Sequence, residues 1–288
     1  MNSIELTAPA KVNLVLRVLS KRKDSYHNIY TLFERISLAD HIKITRIARG
    51  ITVVCDKSVT GRPQDNIAYK AAELILKTAK VNAGIRVEIK KRIPIAAGLG
   101  GGSSDAAAVL TGINKLLNLR ISKGKLMRLG AKLGADVPFF IFDTPFAIGR
   151  GVGDKLQKLN LNKKFFHILI YPGFKVATKD VYRGLSRDLT NNRGGVRITL
   201  PKDWNSLERL LHNDLEAVVA AKKPVIGIII KCLASSLGRR AIVSGSGPSV
   251  FCLCPTRKEA MKARVKLLHG AAGILGKRGQ IFIVETKR

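Results

Sequence analysis

Apolar and polar positions alternate along several short stretches of the chain, and this period of two predicts β-strands. The first half alternates over residues 4–19, 28–38 and 85–89, and over two short runs within 41–55. Four apolar runs in the second half also predict strands: residues 165–171, 241–244, 249–254 and 280–285. Several sheet-forming segments are therefore expected in each half.

Longer stretches with a helical period lie between these strands. Asn66 is a predicted N-cap for a helix that continues to about residue 80. The other predicted helices cover residues 105–117, 122–133, 204–221, 224–237 and 257–269. Residues 186–202 are predicted to form an exposed insertion. Because helices and strands are mixed without strict alternation, the fold class is predicted as α+β.

The richest chemistry lies at residues 94–110, which read PIAAGLGGGSSDAAAVL. A glycine-dense loop between a strand and a helix lets the backbone approach a ligand closely. The first N–H groups of the helix then point at an anion, and the helix dipole favours negative charge there. Ser103 and Ser104 are predicted to cap this helix and to donate to phosphate oxygens or reach a metal ion.

A flexible glycine turn before an ordinary helix is the alternative interpretation of this loop. The density of glycines and the serine pair favour phosphate binding, but they do not fix a reaction. No Lys follows the glycines as it does in a Walker A motif. The HRD and DFG signatures of protein kinases are absent from the sequence.

Composition bounds the function classes. The 288 residues, 46% of them hydrophobic, suffice for one large domain or two lobes. The 51 Lys and Arg outnumber the 20 Asp and Glu, so the formal net charge is +31. Such a charge suits nucleic-acid binding or steering of phosphorylated substrates, but a generally basic proteome would also produce it. The charges are dispersed and aromatic residues are few, so no specific nucleic-acid partner is predicted.

Cysteine usage and hydropathy indicate a reducing, cytoplasmic setting. The four cysteines show no CxxC pair and no metal-ligand spacing. We expect no signal peptide, because residues 1–9 are short and contain Glu5. We expect no membrane partner, because no apolar run reaches the length of a membrane span.

Three motifs in order resemble those of the GHMP kinases, a superfamily of small-molecule kinases. The first is Ala8-Pro9-Ala10-Lys11-Val12-Asn13-Leu14, the second is the glycine loop, and the third covers residues 243–251, VSGSGPSVF. Residues 23–27, 31–33, 134–140 and 213–216 resemble one branch of the superfamily, which phosphorylates a cytidine-diphosphate-linked methylerythritol in non-mevalonate isoprenoid synthesis. Together these segments cover the chain from end to end.

The resemblance implies a two-lobed GHMP kinase fold. Its N-terminal lobe is like domain 2 of ribosomal protein S5 and is expected at residues 1–160. Its C-terminal lobe is ferredoxin-like and is expected at residues 161–288. The protein would be a monomer or a homodimer.

The resemblance also implies an ATP site and a reaction centre. ATP is the expected co-substrate, with Mg²⁺ and with Ser104 as a possible metal ligand. Asp136 would be the general base, and Lys11 would keep it ionised and stabilise developing charge. The residues expected around ATP are Asn66, Pro94, Ile95, Ala96, Ala97, Gly98, Leu99, Gly100, Gly101, Gly102, Ser103 and Ser104.

The acceptor would be a small molecule whose cytosine lies between Tyr26 and Tyr182, with His27 hydrogen-bonded to the base edge. Asn13 would orient the 2-hydroxyl, and Gly245 and Ser246 of the third motif would shape the substrate side. The sequence departs from the usual branch pattern at Ser25, Ala177 and Asp154.

Two other functions are left open by these residues. One is another small-molecule kinase of the superfamily, acting on homoserine, mevalonate or a sugar. The other is a basic nucleic-acid-binding module on a related α+β fold. The aromatic residues at 26 and 182 favour the nucleotide-linked acceptor.

Overall fold

A computed structural model describes residues 2–57, 61–161, 163–185, 204–270, 275 and 277–288. Strands and helices are mixed throughout, which confirms the α+β class. The strands are β1 (Ser3–Lys21), β2 (His27–Ile47), β3 (Ile51–Cys55), β4 (Gly84–Lys90), β5 (Phe146–Gly151), β6 (Lys155–Lys158), β7 (Phe166–Tyr171), β8 (His212–Asn213), β9 (Ala241–Val243), β10 (Val250–Cys254) and β11 (Gln280–Glu285). The helices are α1 (Ile67–Ala79), α2 (Gly101–Leu116), α3 (Lys123–Leu133), α4 (Val137–Phe142), α5 (Thr178–Arg183), α6 (Trp204–Leu210), α7 (Glu216–Lys222), α8 (Pro224–Leu237) and α9 (Arg257–Gly270), with a 3₁₀ turn at Pro63–Asp65.

The chain forms two compact units, and each is assembled from separate segments. The first unit contains Met1–Ala10, Leu38–Ile95 and Gly100–Thr144. The second contains Lys11–Ser37, Ala96–Leu99 and Pro145–Arg288. The long strands β1 and β2 therefore each contribute one part to each unit, while the predicted lobe boundary near residue 160 stays a prediction.

In the first unit, the later part of β2 pairs antiparallel with β4, and β3 lies parallel to β4 on its other edge. Helices α1 and α2 pack on each other, and each contains fully buried small residues, such as Ala72 in α1 and Ala106 in α2. A side chain at Gly112 of α2 would place its Cβ 2.5 Å from Ile44 Cδ1. Glycine at this position therefore allows the helix to approach β2 closely.

In the second unit, four antiparallel strands lie in the order β11-β7-β10-β9. The early part of β2 pairs with β5, which pairs in turn with β6. Apolar residues of α8, including Ile226, Ile229 and Leu233, are buried in the core of this unit. None of the helices in the described ranges is long and apolar enough to span a membrane.

Two predicted element boundaries outside the glycine loop are wrong, and each has a physical reason. Residues 28–47 form one continuous strand rather than two strands broken near residue 40. The strand continues through Asp40 because the carboxylate of this residue is fully buried and ion-paired with Lys91. The predicted helix 204–221 is instead two helices separated by β8, which pairs in parallel with β1. The predicted insertion at 186–202 lies outside the described residues.

Candidate active site

The central residues of the glycine loop are attached to the third motif within the second unit. Ser249 N donates to Ala97 O at 3.2 Å, and Ser244 Oγ donates to Gly98 O at 3.1 Å. Lys11 N donates to Leu99 O at 3.0 Å, so the first motif is attached to the same segment. Gly98 has φ +77°, and a Cβ there would lie 2.2 Å from Ser244 O. This position therefore excludes any side chain, so the three motifs meet around Gly98.

The end of the glycine loop in the first unit differs from the prediction in one respect. Helix α2 begins at Gly101 with Gly100 as its N-cap at φ +70°, not near residue 105. Ser103 and Ser104 therefore lie in the first turn and do not cap the helix, because Gly101 and Gly102 already belong to it. Ser104 Oγ is buried and has no hydrogen-bond partner among the described residues.

The first turns of α1 and α2 and the turn before α4 come together within the first unit. Asn66 caps α1 as predicted, and its Oδ1 accepts from Ala68 N at 2.9 Å. A Cβ on Gly102 would lie 3.6 Å from Ile67 Cγ2, and one on Gly134 would lie 3.6 Å from Ser103 Oγ. Asn66, the serine turn and the Gly134 turn are therefore neighbours.

Asp136 lies at the N-cap position of α4, with φ −84° and ψ −14°. Its side chain makes no capping hydrogen bond, so capping does not explain the carboxylate. The helix that follows is fixed by burial of five of its six residues, Val137 to Ile141. This buried helix thus holds Asp136 at the turn before it, where the residue is only partly buried.

A chain of buried polar side chains links Lys11 to β2 in the second unit. Lys11 Nζ donates to Asn13 Oδ1 at 2.6 Å, and Asn13 Nδ2 donates to Thr31 Oγ1 at 2.8 Å. The Thr31 hydroxyl then donates to Val15 O at 2.7 Å. Lys11 Nζ also lies 5.4 Å from the centre of the Phe33 ring, a cation–π distance. These contacts hold the ammonium in one place, and a Cβ on Gly245 would lie 3.4 Å from it.

The third motif is held by Asn213 at the end of β8 and by Glu216 at the start of α7. Asn213 Nδ2 donates to Val243 O at 2.7 Å and to Gly245 O at 2.8 Å. Glu216 Oε2 accepts from Val243 N at 2.8 Å, and burial raises the pKa of this carboxyl. Asn213 is therefore a positioning residue for the turn that contains Gly245.

Two of the three ring residues predicted to bind a base, His27 and Tyr182, lie together. The rings of His27 and Tyr182 stack with centroids 5.0 Å apart and planes 27° apart. His27 is buried, whereas Tyr26 is 61% exposed. Burial, with a smaller contribution from Lys21, lowers the pKa of His27. The sandwich of a base between Tyr26 and Tyr182 stays a prediction.

Ser25, immediately before this pair, has φ +67°. A left-handed backbone is costly for residues other than glycine. Ser25, where the sequence departs from the branch pattern, adopts this conformation although it is not a glycine.

Thr178 is a site residue that sequence reasoning missed. Its Oγ1 lies 2.8 Å from Ser246 Oγ, in the third motif. Thr178 begins α5, and Tyr182 lies one turn later on the same helix. This short helix therefore links the third motif to the aromatic pair. The signal available in the sequence was Thr178 itself, a hydroxyl residue directly after the departure at Ala177.

A buried ionic network in the first unit was also missed. Lys91 Nζ donates to Asp40 Oδ2, and to Asp105 Oδ2 at 2.8 Å. All three residues are at most 6% exposed. Burial, opposed by Lys91, raises the pKa of Asp105 to about 7. The sequence held no signal for this cluster, because its three charged residues are far apart in the chain and Lys91 lies in a basic run beside Lys90 and Arg92.

The described residues contain no group of three or more His, Cys, Asp or Glu that could hold a metal ion. Mg²⁺ commonly uses one or two carboxylates with substrate phosphates and water, so it does not require such a cluster. The unpartnered hydroxyl of Ser104 at the start of α2 fits a contact with a bound group.

Comparison with known proteins assigns the family. The profile of the GHMP kinases N terminal domain matches residues 66–144, and that of the GHMP kinases C terminal domain matches residues 195–270. The 4-diphosphocytidyl-2-C-methyl-D-erythritol kinase of Syntrophus aciditrophicus (strain SB) is 40% identical, over 98% of this chain and 99% of that protein. The kinase of the same name from Geobacter metallireducens is 42% identical, over 100% of this chain and 99% of that protein.

Solved structures agree with this assignment. A crystal structure of 4-(cytidine 5'-diphospho)-2C-methyl-D-erythritol kinase matches with a TM-score of 0.80 and 34% identity, covering 98% of this chain and 99% of that one. Homoserine kinase from Cytophaga hutchinsonii matches with a TM-score of 0.76 at 19% identity, over 100% of this chain and 96% of that one, and supports the fold alone. The chain is therefore a two-domain small-molecule kinase of the GHMP superfamily and belongs to the 4-diphosphocytidyl-2-C-methyl-D-erythritol kinase family.

Proposed function

We propose that this chain transfers the γ-phosphate of ATP to the 2-hydroxyl of 4-diphosphocytidyl-2-C-methyl-D-erythritol, giving the 2-phosphate and ADP. The observation that carries this proposal is the stacked pair of His27 and Tyr182, joined by α5 to Ser246 of the third motif. An aromatic surface with an imidazole suits a flat base with hydrogen-bonding edges. Homoserine, mevalonate or a simple sugar needs no such surface.

Each end of the reaction has its own proposed residues. The glycine loop and the first turn of α2 would bind the triphosphate through backbone N–H groups. The adenine would lie near Asn66. The pyrimidine would bind at Tyr26, His27 and Tyr182, so the acceptor is recognised through a part that does not react.

Asp136 is proposed as the general base for the tertiary hydroxyl, which is a poor nucleophile until its proton is removed. A positioned base typically contributes about 10²–10⁴-fold in rate. Support for this role is its place in the turn between Gly134, which lies beside Ser103, and the buried helix α4. Lys11 is proposed to stabilise charge that develops during transfer, and its link to Asn13 and Thr31 keeps the ammonium in place.

Mg²⁺ is proposed to be held by the phosphates of ATP and water, with Ser104 as a protein contact. When bound, it would neutralise charge on the phosphate oxygens. The protein itself orients the two substrates. Backbone N–H groups orient the triphosphate, and Asn13 orients the acceptor hydroxyl.

Acceptor choice tests the proposal. Turnover with ATP should be far more efficient for the cytidine-diphosphate adduct than for free methylerythritol, because unpaired polar groups would remain in the base pocket. Tyr182→Ala should raise KM for the adduct by about tenfold or more, since stacking on a base is worth roughly 1–3 kcal/mol. Tyr182→Phe keeps the ring and is the matched control.

Equal use of both acceptors by the wild-type enzyme would contradict the proposal and would indicate another small-molecule kinase. A Tyr182→Ala variant with an unchanged KM would remove this residue from the base pocket while leaving the reaction intact.

A further inference from the structure

The buried network of Asp40, Lys91 and Asp105 lies where the glycine loop leaves the first unit and where it returns. Asp40 Oδ1 accepts from Arg92 N at 2.6 Å and from Ile93 N at 2.9 Å, immediately before Pro94. On the other side, Lys91 Nζ binds Asp105 in the second turn of α2. One network therefore holds both ends of the loop.

The ammonium also lies directly beside the first residue of α2. A Cβ on Gly101 would be 3.3 Å from Lys91 Nζ and 3.0 Å from Ile93 Cγ2. Gly101 therefore lies beside the side chains of Lys91 and Ile93, from the segment that precedes the loop. The position of the Lys91 ammonium therefore limits where the first residue of this helix can lie.

Stability alone is a weak explanation for such a network. Removing three charged groups from water is costly, and apolar residues of similar volume often stabilise a protein equally well. The attraction of Lys91 for phosphate is also a weak explanation, because one ammonium faces two carboxylates. What remains is geometry: charged hydrogen bonds have narrow preferences in distance and direction.

We propose that Lys91 is a positioning residue that fixes the spacing between the two ends of the glycine loop, and thereby the affinity of the loop for the β- and γ-phosphates of a nucleotide. The inference rests on the proposed ATP site, since it concerns how that loop is held. It assigns to Lys91 no contact with the nucleotide.

The double variant Lys91→Met/Asp105→Asn tests this role. It removes the cation and one carboxylate together, and it leaves Asp40 with its two backbone donors. Calorimetric Kd values are measured for ATP and for AMP, which lacks the two distal phosphates. We expect Kd for ATP to rise by about tenfold or more, with Kd for AMP nearly unchanged. Asp105→Asn alone keeps the pair of Lys91 and Asp40 and should show a smaller rise.

Lys90→Met is the matched control, because this neighbouring lysine is exposed at the end of β4. It should bind both nucleotides like the wild type. The inference is overturned if the folded double variant keeps the wild-type Kd for ATP. It is also overturned if ATP and AMP weaken equally, because that result indicates a purely structural role.

Failure of the proposed function would be observed in the wild-type protein instead. A wild-type enzyme that binds ATP but does not phosphorylate the adduct contradicts only the acceptor assignment. A wild-type protein that does not bind ATP would overturn both proposals.

Discussion

At the residue scale, two residues of the candidate site differ in how they use a helix start. Asp136 lies at a helix start without capping it, while Asn66 caps its helix and remains a candidate for the nucleotide site. Lys11 is almost fully buried and hydrogen-bonded to Asn13. The sequence motifs predicted these residues because each motif is a short continuous segment. The motifs could not predict the hydrogen bonds and packing contacts that hold the side chains in place.

We expect Asp136→Asn to lower kcat by on the order of 10² or more, because the amide cannot accept the proton. KM values for ATP and acceptor should change little. Steady-state kinetics with both substrates provide the measurement. Asp143→Asn, at the other end of the same helix, is the control and should retain wild-type kcat. A wild-type kcat in Asp136→Asn would exclude this residue as the base.

His27 should make stability depend on pH. Its pKa in the folded protein is lower than the ordinary value of 6.5, so the unfolded chain binds more protons at acid pH. The free energy of unfolding should therefore fall as pH drops from about 6.5 through the folded pKa. Urea titrations of the wild type and His27→Gln should show this component only in the wild type.

The exposed His41 on the same strand provides the site of the control substitution, His41→Gln. Identical profiles for the wild type and His27→Gln would show that burial of the ring does not shift its titration.

At the element scale, prediction succeeded where one segment carries its own signal. Helix α8 and strand β11 have the predicted bounds, because Pro224 starts the helix and apolar residues form the strand. Prediction failed where a residue distant in the chain determines the end of an element. The end of helix 204–210 depends on Asn213, whose partners Val243 and Gly245 lie about thirty residues later in the chain. Local propensity holds no information on such contacts.

The start of α2 gives a prediction about the glycine loop. At Gly102 an added Cβ would only reach ordinary contact with Ile67, at 3.6 Å, so Gly102→Ala should fold. Because the methyl group would stand where phosphate must approach the backbone, Kd for ATP should rise severalfold. Gly101 is unsuitable for this test, since its Cβ would crowd Ile93 at 3.0 Å.

Calorimetry with ATP checks the expected rise, and thermal melting confirms that the fold is kept. Gly124→Ala in α3 is the control, because its Cβ would meet only Arg128, at 3.9 Å. An unchanged Kd in Gly102→Ala would argue against phosphate binding at this turn.

At the scale of the whole molecule, the dominant property is the net charge of +31. Both proposed substrates are anionic, so a strongly positive field accelerates their encounter with the protein. The motifs predicted the family and the fold, whereas the charge is spread over the sequence and predicted no particular site.

We expect kcat/KM for both substrates to fall as ionic strength rises from about 0.05 M to 0.3 M, because the Debye length shortens over this range. The kcat value should stay nearly constant, since steering affects encounter and not transfer. Potassium chloride and potassium acetate should give the same curve. A kcat/KM that is independent of salt would mean that the charge has no part in substrate capture.

The assembly of each compact unit from separate segments has a consequence for synthesis on the ribosome. The first unit is complete once residue 144 has emerged, but residues 11–37 belong to the second unit and must wait for residues 145–288. At about 5–20 residues per second, that interval lasts on the order of ten seconds. During this interval, the parts of β1 and β2 within residues 11–37 are present in the nascent chain, whereas β5, β7 and β8 have not yet been made. A chaperone that holds extended apolar segments should therefore associate with this protein most strongly midway through its translation.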